Sequence, residues 1–78
     1  MEKKNIIGRR VKQARISGKP PVTQIDLVAR LQVLGMKIDQ SGVSKIETGR
    51  RPVLDYEVVT LADALKVSVE WLLLGDND

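Results

Sequence analysis

Residues 22–52 read VTQIDLVARLQVLGMKIDQSGVSKIETGRRP, and this stretch decides the fold. It opens with an apolar residue, Val22, then a small polar one, Thr23, then a second apolar residue, Leu27, five positions after the first. That spacing is a hydrophobic staple around an N-cap. The Thr23 oxygen can satisfy orphan N–H groups of a first helical turn while Val22 and Leu27 fix how the chain enters it. Leu27, Val28, Leu31 and Leu34 then form an apolar stripe, so a helix is predicted over Gln24–Leu34, with Gly35 placed for a left-handed cap. Only Met36, Lys37 and Ile38 remain before the punctuation recurs, with Ile38 and Asp39 facing Val43. A second, shorter helix is predicted over Gln40–Thr48, ended by Gly49.

The same signal appears twice more downstream. Leu54-Asp55 faces Val59 and Val67-Ser68 faces Leu72, which predicts helix four over Tyr56–Lys66 and helix five over Val69–Leu74, the latter ended by Gly75. These two are apolar along Val58, Val59, Leu61, Ala62, Leu65, Leu72 and Leu73. Upstream, Ile7, Val11 and Ala14 share one face of a first helix beginning near Asn5 and ending at Ser17-Gly18. Lys19-Pro20-Pro21 forces an extended link, because neither proline donates and each disfavours helix in the residue before it. No segment sustains two-residue alternation. The expected architecture is all-α: one compact five-helix domain over residues 1–78, with no strand, internal repeat or low-complexity linker.

Composition narrows the chemistry. A chain of 78 residues leaves no room for a second domain. With no Cys and no His it offers no disulfide framework, thiolate nucleophile, common zinc site or His general base. Asp55 and Glu57 are paired acids with neither a base nor a glycine-rich phosphate loop beside them, so no enzyme is expected. No cofactor, metal or small-molecule ligand is implied, and Asp76-Asn77-Asp78 reads as a solvated acidic tail. Trp71 and Tyr56 make up an aromatic fraction of only 3% and read as core packing or a dimer contact, not a stacking platform for single strands.

The net charge of +3 is unevenly spread: residues 1–19 carry +6, residues 20–54 carry +2 and residues 55–78 carry −5. One end of the chain suits a polyanion and the other does not, although a basic run also fits an ordinary solvated surface. No apolar run approaches the roughly 18 to 20 residues of a membrane span, and Met1–Lys12 lacks a signal-peptide apolar region. A cytoplasmic location is expected.

Helices two and three, joined by a short turn containing Gly, have the order of a helix-turn-helix unit, whose second helix is placed in a major groove by the first. In helix three Val43 and Ile46 form a narrow inward stripe. Gln40, Ser41, Ser44 and Lys45 are left facing outward. Gln can engage adenine N6 and N7, Lys can reach guanine O6 and N7, and Ser can serve a base or a phosphate. Gly42, which costs up to about 1 kcal/mol relative to Ala inside a helix, fits either a close backbone approach or a small residue at a helix contact.

These residues resemble the Cro/repressor-type (XRE-like) helix-turn-helix DNA-binding domains. The matching pieces are Ile7-Gly8-Arg9-Arg10-Val11, Thr23-Gln24, Val43-Ser44-Lys45-Ile46-Glu47-Thr48-Gly49-Arg50-Arg51-Pro52, and Leu61 to Leu73. Between Val28 and Val43 the chain is several residues longer than the commonest family pattern, and Gly35-Met36-Lys37-Ile38 replaces its usual Gly-Val-Ser turn. The resemblance implies that Gln40, Ser41 and Lys45 contact bases, with Thr23, Gln24, Ser44, Arg50 and Arg51 on the DNA backbone. It also implies that Gln24 braces Gln40, and that Arg15 and Glu47 pair to tie helix one to helix three, where two independent surface charges are the alternative. The implied function is a sequence-specific transcriptional regulator, a repressor, binding a double-stranded operator as a homodimer at least on DNA. A protein-interaction module, antitoxin-like or adaptor, with DNA binding secondary, is the alternative from another class.

Overall fold

A computed structural model describes residues 2–75, so Met1 and the Asp76-Asn77-Asp78 tail lie outside the described residues. Within them the chain forms five helices and no strand: α1 (Gly8–Ile16), α2 (Gln24–Val33), α3 (Gln40–Glu47), α4 (Asp55–Leu65) and α5 (Val69–Leu74). α3 packs against both α1 and α2, α4 packs against α1 and α2, and α5 closes over α4. The core is aliphatic. Ile7, Val11, Leu27, Leu31, Val43, Ile46, Leu61 and Leu72 are fully enclosed, and Val28, Ile38 and Trp71 pack against them.

Three of the four stapled starts form as their spacing predicts. Thr23 accepts from the Asp26 N–H at 3.0 Å while Asp26 accepts from the Thr23 N–H at 3.2 Å, closing a capping box on α2. Asp39 accepts from the Gly42 N–H at 2.8 Å, and Ser68 accepts from the Trp71 N–H at 2.9 Å. The fourth start differs. α4 begins at Asp55, with Leu54 as its N-cap, because Glu57 at the third helical position accepts from the Leu54 N–H at 3.0 Å. Asp55 therefore lies inside the helix, and the paired Leu54 and Val59 stay exposed.

The apolar stripe is also narrower than expected at three places. Val59 is 57% exposed, since adjacent Val58 and Val59 cannot both face the core of one helix and Val58 takes that place. Leu73 is exposed on α5. Leu34 follows the last residue of α2 as its C-cap, and the turn is completed by Gly35 at φ +90°, a left-handed backbone that glycine adopts without steric cost.

Helix one starts three residues later than its apolar spacing suggests, because Asn5 serves as a cap in place of a first turn. Its Oδ1 accepts from the Ile7 and Gly8 N–H groups at 3.0 and 2.8 Å. Its Nδ2 donates to the carbonyls of Ile46 and Arg51 at 3.1 and 2.8 Å. The Lys4 N–H donates to the Gly49 carbonyl at 2.8 Å. Gly8 lets this junction close: a Cβ there would overlap the Ile46 carbonyl oxygen. The start of α1 is thus seated directly on the exit of α3.

Candidate nucleic-acid interface

α3 is held along its inner face by Val43 and Ile46 and turns Gln40, Ser41 and Lys45 to solvent, with Ser44 half-buried. Gly42 is explained by local packing, since a Cβ would stand 2.5 Å from Ile38 Cγ1, the staple residue preceding the helix. Ile38 can therefore lie against the first turn of α3. The longer link between α2 and α3 is closed by bonds of its own: the Met36 N–H donates to the Leu31 carbonyl at 2.9 Å, and Gln32 Nε2 donates to the Ile38 carbonyl at 3.4 Å.

Behind the exposed face runs a connected polar chain. Arg15 Nε donates to Glu47 Oε2 at 2.7 Å and Arg15 Nη2 donates to Glu47 Oε1 at 3.0 Å, with side-chain exposures of 12% and 3%. The paired carboxylate raises the Arg15 guanidinium above its ordinary pKa, through the hydrogen bond first and charge attraction besides, against an opposing effect of burial. Arg15 Nη1 also donates to the Val22 carbonyl at 3.0 Å, which ties α1 to the entry of α2. Gln24 Nε2 donates to Glu47 Oε1 at 3.1 Å, and Gln40 Nε2 donates to Gln24 Oε1 at 3.4 Å. Arg15, Glu47, Gln24 and Gln40 are therefore one network reaching from the interior to the surface of α3. Thr23 lies beside it as the α2 cap.

The two arginines after α3 occupy different environments. Arg50 is exposed. Arg51 is engaged: its Nη1 and Nη2 donate to Glu57 Oε1 and Oε2 at 3.0 and 3.1 Å, with side-chain exposures of 28% and 10%. The hydrogen bonds from Arg51 hold the Glu57 carboxyl below its ordinary pKa, helped by the Leu54 N–H and by charge, and opposed by burial. Arg51 thus bridges the loop to α4. Its partner is six residues away across a turn, a separation that no helical or strand period marks.

The other basic side chains divide in the same way. Arg10 Nη1 donates to the Leu72 carbonyl at 3.1 Å near the end of α5, and Arg30 Nη1 donates to the Ala64 carbonyl at 3.0 Å near the end of α4. Cations at these positions complement the helix dipole. Lys3, Lys4, Arg9, Lys12 and Arg50 form no side-chain hydrogen bond or ion pair among the described residues. Part of the +6 carried by residues 1–19 is therefore structural cement, and the remainder is available at the surface. Asn5 escaped the sequence reading because two of its four bonds go to backbone distant in the chain, at Ile46 and Arg51. Its one local signal is an Asn three residues before a glycine that begins a helix. Of the two aromatics, Trp71 packs against the core and Tyr56 is exposed.

No protein-family model matches the sequence, and no curated protein matches it. Among solved structures, the chain is similar to the crystal structure of the P22 c2 repressor protein in complex with synthetic operator 9T in the presence of Tl+. The TM-score is 0.71 at 24% sequence identity, and the match covers 92% of this chain and 98% of that one. This likeness shows that the chain shares the fold of that protein. No helix among the described residues is long and apolar enough to cross a membrane.

Proposed function

From a repressor-type helix-turn-helix fold as premise, we propose that this protein is a sequence-specific regulator of transcription that binds double-stranded operator DNA and acts as a repressor. The observation that carries the reading is the solvent face of α3. Gln40, Ser41 and Lys45 stand exposed there on a short helix held from behind by α1 and α2, on a fold shared with a repressor crystallised with its operator. α3 enters the major groove, Gln40, Ser41 and Lys45 contact bases, and Thr23, Gln24, Ser44, Arg50 and Arg51 contact the backbone. Its pair with Glu57 holds Arg51 in place on the loop.

Binding is as a homodimer on a two-fold site in the cytoplasm. Exposed Tyr56 and Val59 on α4 and Leu73 and Leu74 on α5 supply apolar surface for the contact. Selection from random duplex DNA, followed by binding measured against salt, tests the function. The expected result is one enriched sequence with two-fold symmetry and a log affinity that falls linearly with log salt, with a slope of roughly −0.9 per phosphate neutralised. No enriched sequence and no salt-dependent duplex binding would turn the assignment toward a protein-interaction module. Sedimentation with and without the selected duplex tests the dimer.

A further inference from the structure

Three helices, α2, α3 and α5, leave their last turns through a glycine of positive φ, at Gly35, Gly49 and Gly75. α4 leaves through Lys66 at φ +59°, a left-handed backbone that is free for glycine and costly for a residue with a side chain. The end of α4 does not need Lys66 for its dipole, because Arg30 Nη1 already donates to the Ala64 carbonyl there at 3.0 Å. A cation therefore stands where a glycine would fit, and it lines a cleft.

That cleft has a volume of about 360 Å³ and lies between the end of α1, the Lys19-Pro20-Pro21 link, α2 and the end of α4. No residue of α3 lines it. Ala14, Pro21, Val22 and Leu65 supply apolar lining, and every charge in it is positive: Lys19, Arg30 and Lys66. Lys19 and Lys66 form no side-chain hydrogen bond or ion pair among the described residues, and Asp63 lines only an adjoining hollow. Like charges gathered around apolar walls repel one another and focus a positive potential, which raises the local concentration of an anion.

We propose that this cleft binds a small organic phosphate. A phosphate monoester carries close to two negative charges and three strong acceptor oxygens at neutral pH, a match for one guanidinium and two ammonium groups, whereas a single carboxylate leaves positive charge over. The apolar lining takes the organic body, as small-molecule sites of this size combine apolar walls with a few charges that fix orientation. The site goes beyond the DNA-binding reading and does not depend on it, since the cleft shares no residue with the proposed DNA contacts.

Phenyl phosphate titrated calorimetrically into the full chain at low salt tests it. Binding should be one-to-one with a Kd of about 1 mM or tighter, and inorganic phosphate or phenol, each carrying half of the recognised chemistry, should bind about tenfold more weakly or worse. Lys19→Ala and Lys66→Asn should each weaken phenyl phosphate by about tenfold, the loss of one charge-assisted hydrogen bond. Asn tolerates the left-handed backbone at position 66, and thermal melting checks that both variants fold. Lys12→Ala removes the same charge from the exposed face of α1 outside the cleft and should leave the affinity unchanged.

No binding of phenyl phosphate at several times the expected Kd overturns the inference. Equal weakening by Lys12→Ala, Lys19→Ala and Lys66→Asn would mark a diffuse attraction to net charge and overturns it as well. Inorganic phosphate binding as tightly as phenyl phosphate refutes the organic ligand. A chain that binds phenyl phosphate and no duplex keeps this site and loses the operator reading, and a chain that binds duplex and no phenyl phosphate does the reverse.

Discussion

Replacing Arg15 with Ala tests whether the ion pair behind α3 holds the fold together. The substitution removes three hydrogen bonds, two to Glu47 and one to the Val22 carbonyl, and leaves the Glu47 side chain only 3% exposed with Gln24 as its remaining side-chain donor. Removing one partner of a buried pair costs about 3–5 kcal/mol, because the surviving charge stays desolvated without its counter-ion. A domain of this length is stable by roughly 4–12 kcal/mol in total, so the loss is a large share of the whole. The corresponding drop in Tm is roughly 12–40 °C at 4–8 °C per kcal/mol.

Lys12, exposed on the same helix and without a partner among the described residues, sets the baseline: Lys12→Ala should fall within about 0.5 kcal/mol of the parent. Urea unfolding followed by far-UV circular dichroism and by Trp71 fluorescence measures both. The double variant Arg15→Met with Glu47→Leu separates lost attraction from stranded charge. It should recover most of the loss, because an apolar pair carries no desolvation penalty. Midpoints for Arg15→Ala and Lys12→Ala that agree within error would refute the reasoning.

Further outcomes follow from the same geometry. Arg50→Ala should lower the slope of log affinity against log salt by about 0.9 with stability unchanged. Arg51→Ala should lower the slope as well and also lower stability by about 1–3 kcal/mol, and an unchanged slope in either variant would remove that residue from the backbone contacts. Glu57 has a folded pKa below its ordinary value, so its pair with Arg51 contributes fully above about pH 4.3 and is lost as pH falls through the lower folded value. Stability measured between pH 7 and 3 should therefore fall less steeply in Glu57→Gln than in the parent. Asn5→Ala strips partners from four backbone groups and should cost about 2 kcal/mol or more in urea unfolding, without altering the salt slope.

What was legible in the sequence was what local chemistry decides. Val22 with Leu27, Ile38 with Asp39 and Val43, and Val67 with Ser68 and Leu72 each act within six residues, and the helices they introduce start where their caps stand. Leu54-Asp55 carries the same signature yet gives way, because Glu57 satisfies the Leu54 N–H and binds Arg51 as well. A competitor three residues inside the helix shifts the boundary by one. The outward face of α3 was readable because Val43 and Ile46 leave the other positions no core to enter. The Gln24 to Glu47 contact and the bonds of Asn5 to Ile46 and Arg51 depend on how distant segments meet, and the pairing of Arg51 with Glu57 depends on how one turn folds. No periodicity encodes them.

The seating of Asn5 and Gly8 on the end of α3 has a consequence for how this molecule opens. Asn5 reaches 41 residues along the chain to Ile46 and 46 residues to Arg51, so the exit of α3 is stapled to the beginning of the polypeptide, while its entry is held through Asp39, Gln24 and α2. A helix of eight residues has too few internal bonds to persist alone in water, yet it cannot fray from either end without parting contacts made by α1 or α2. α3 is therefore expected to open together with α1 and α2 as one cooperative unit, and its inner amides, at Val43 and Ile46, should show the hydrogen-exchange protection of the core. In the duplex binding proposed above, this face is already ordered before contact, so the heat capacity of association should follow the contact area buried.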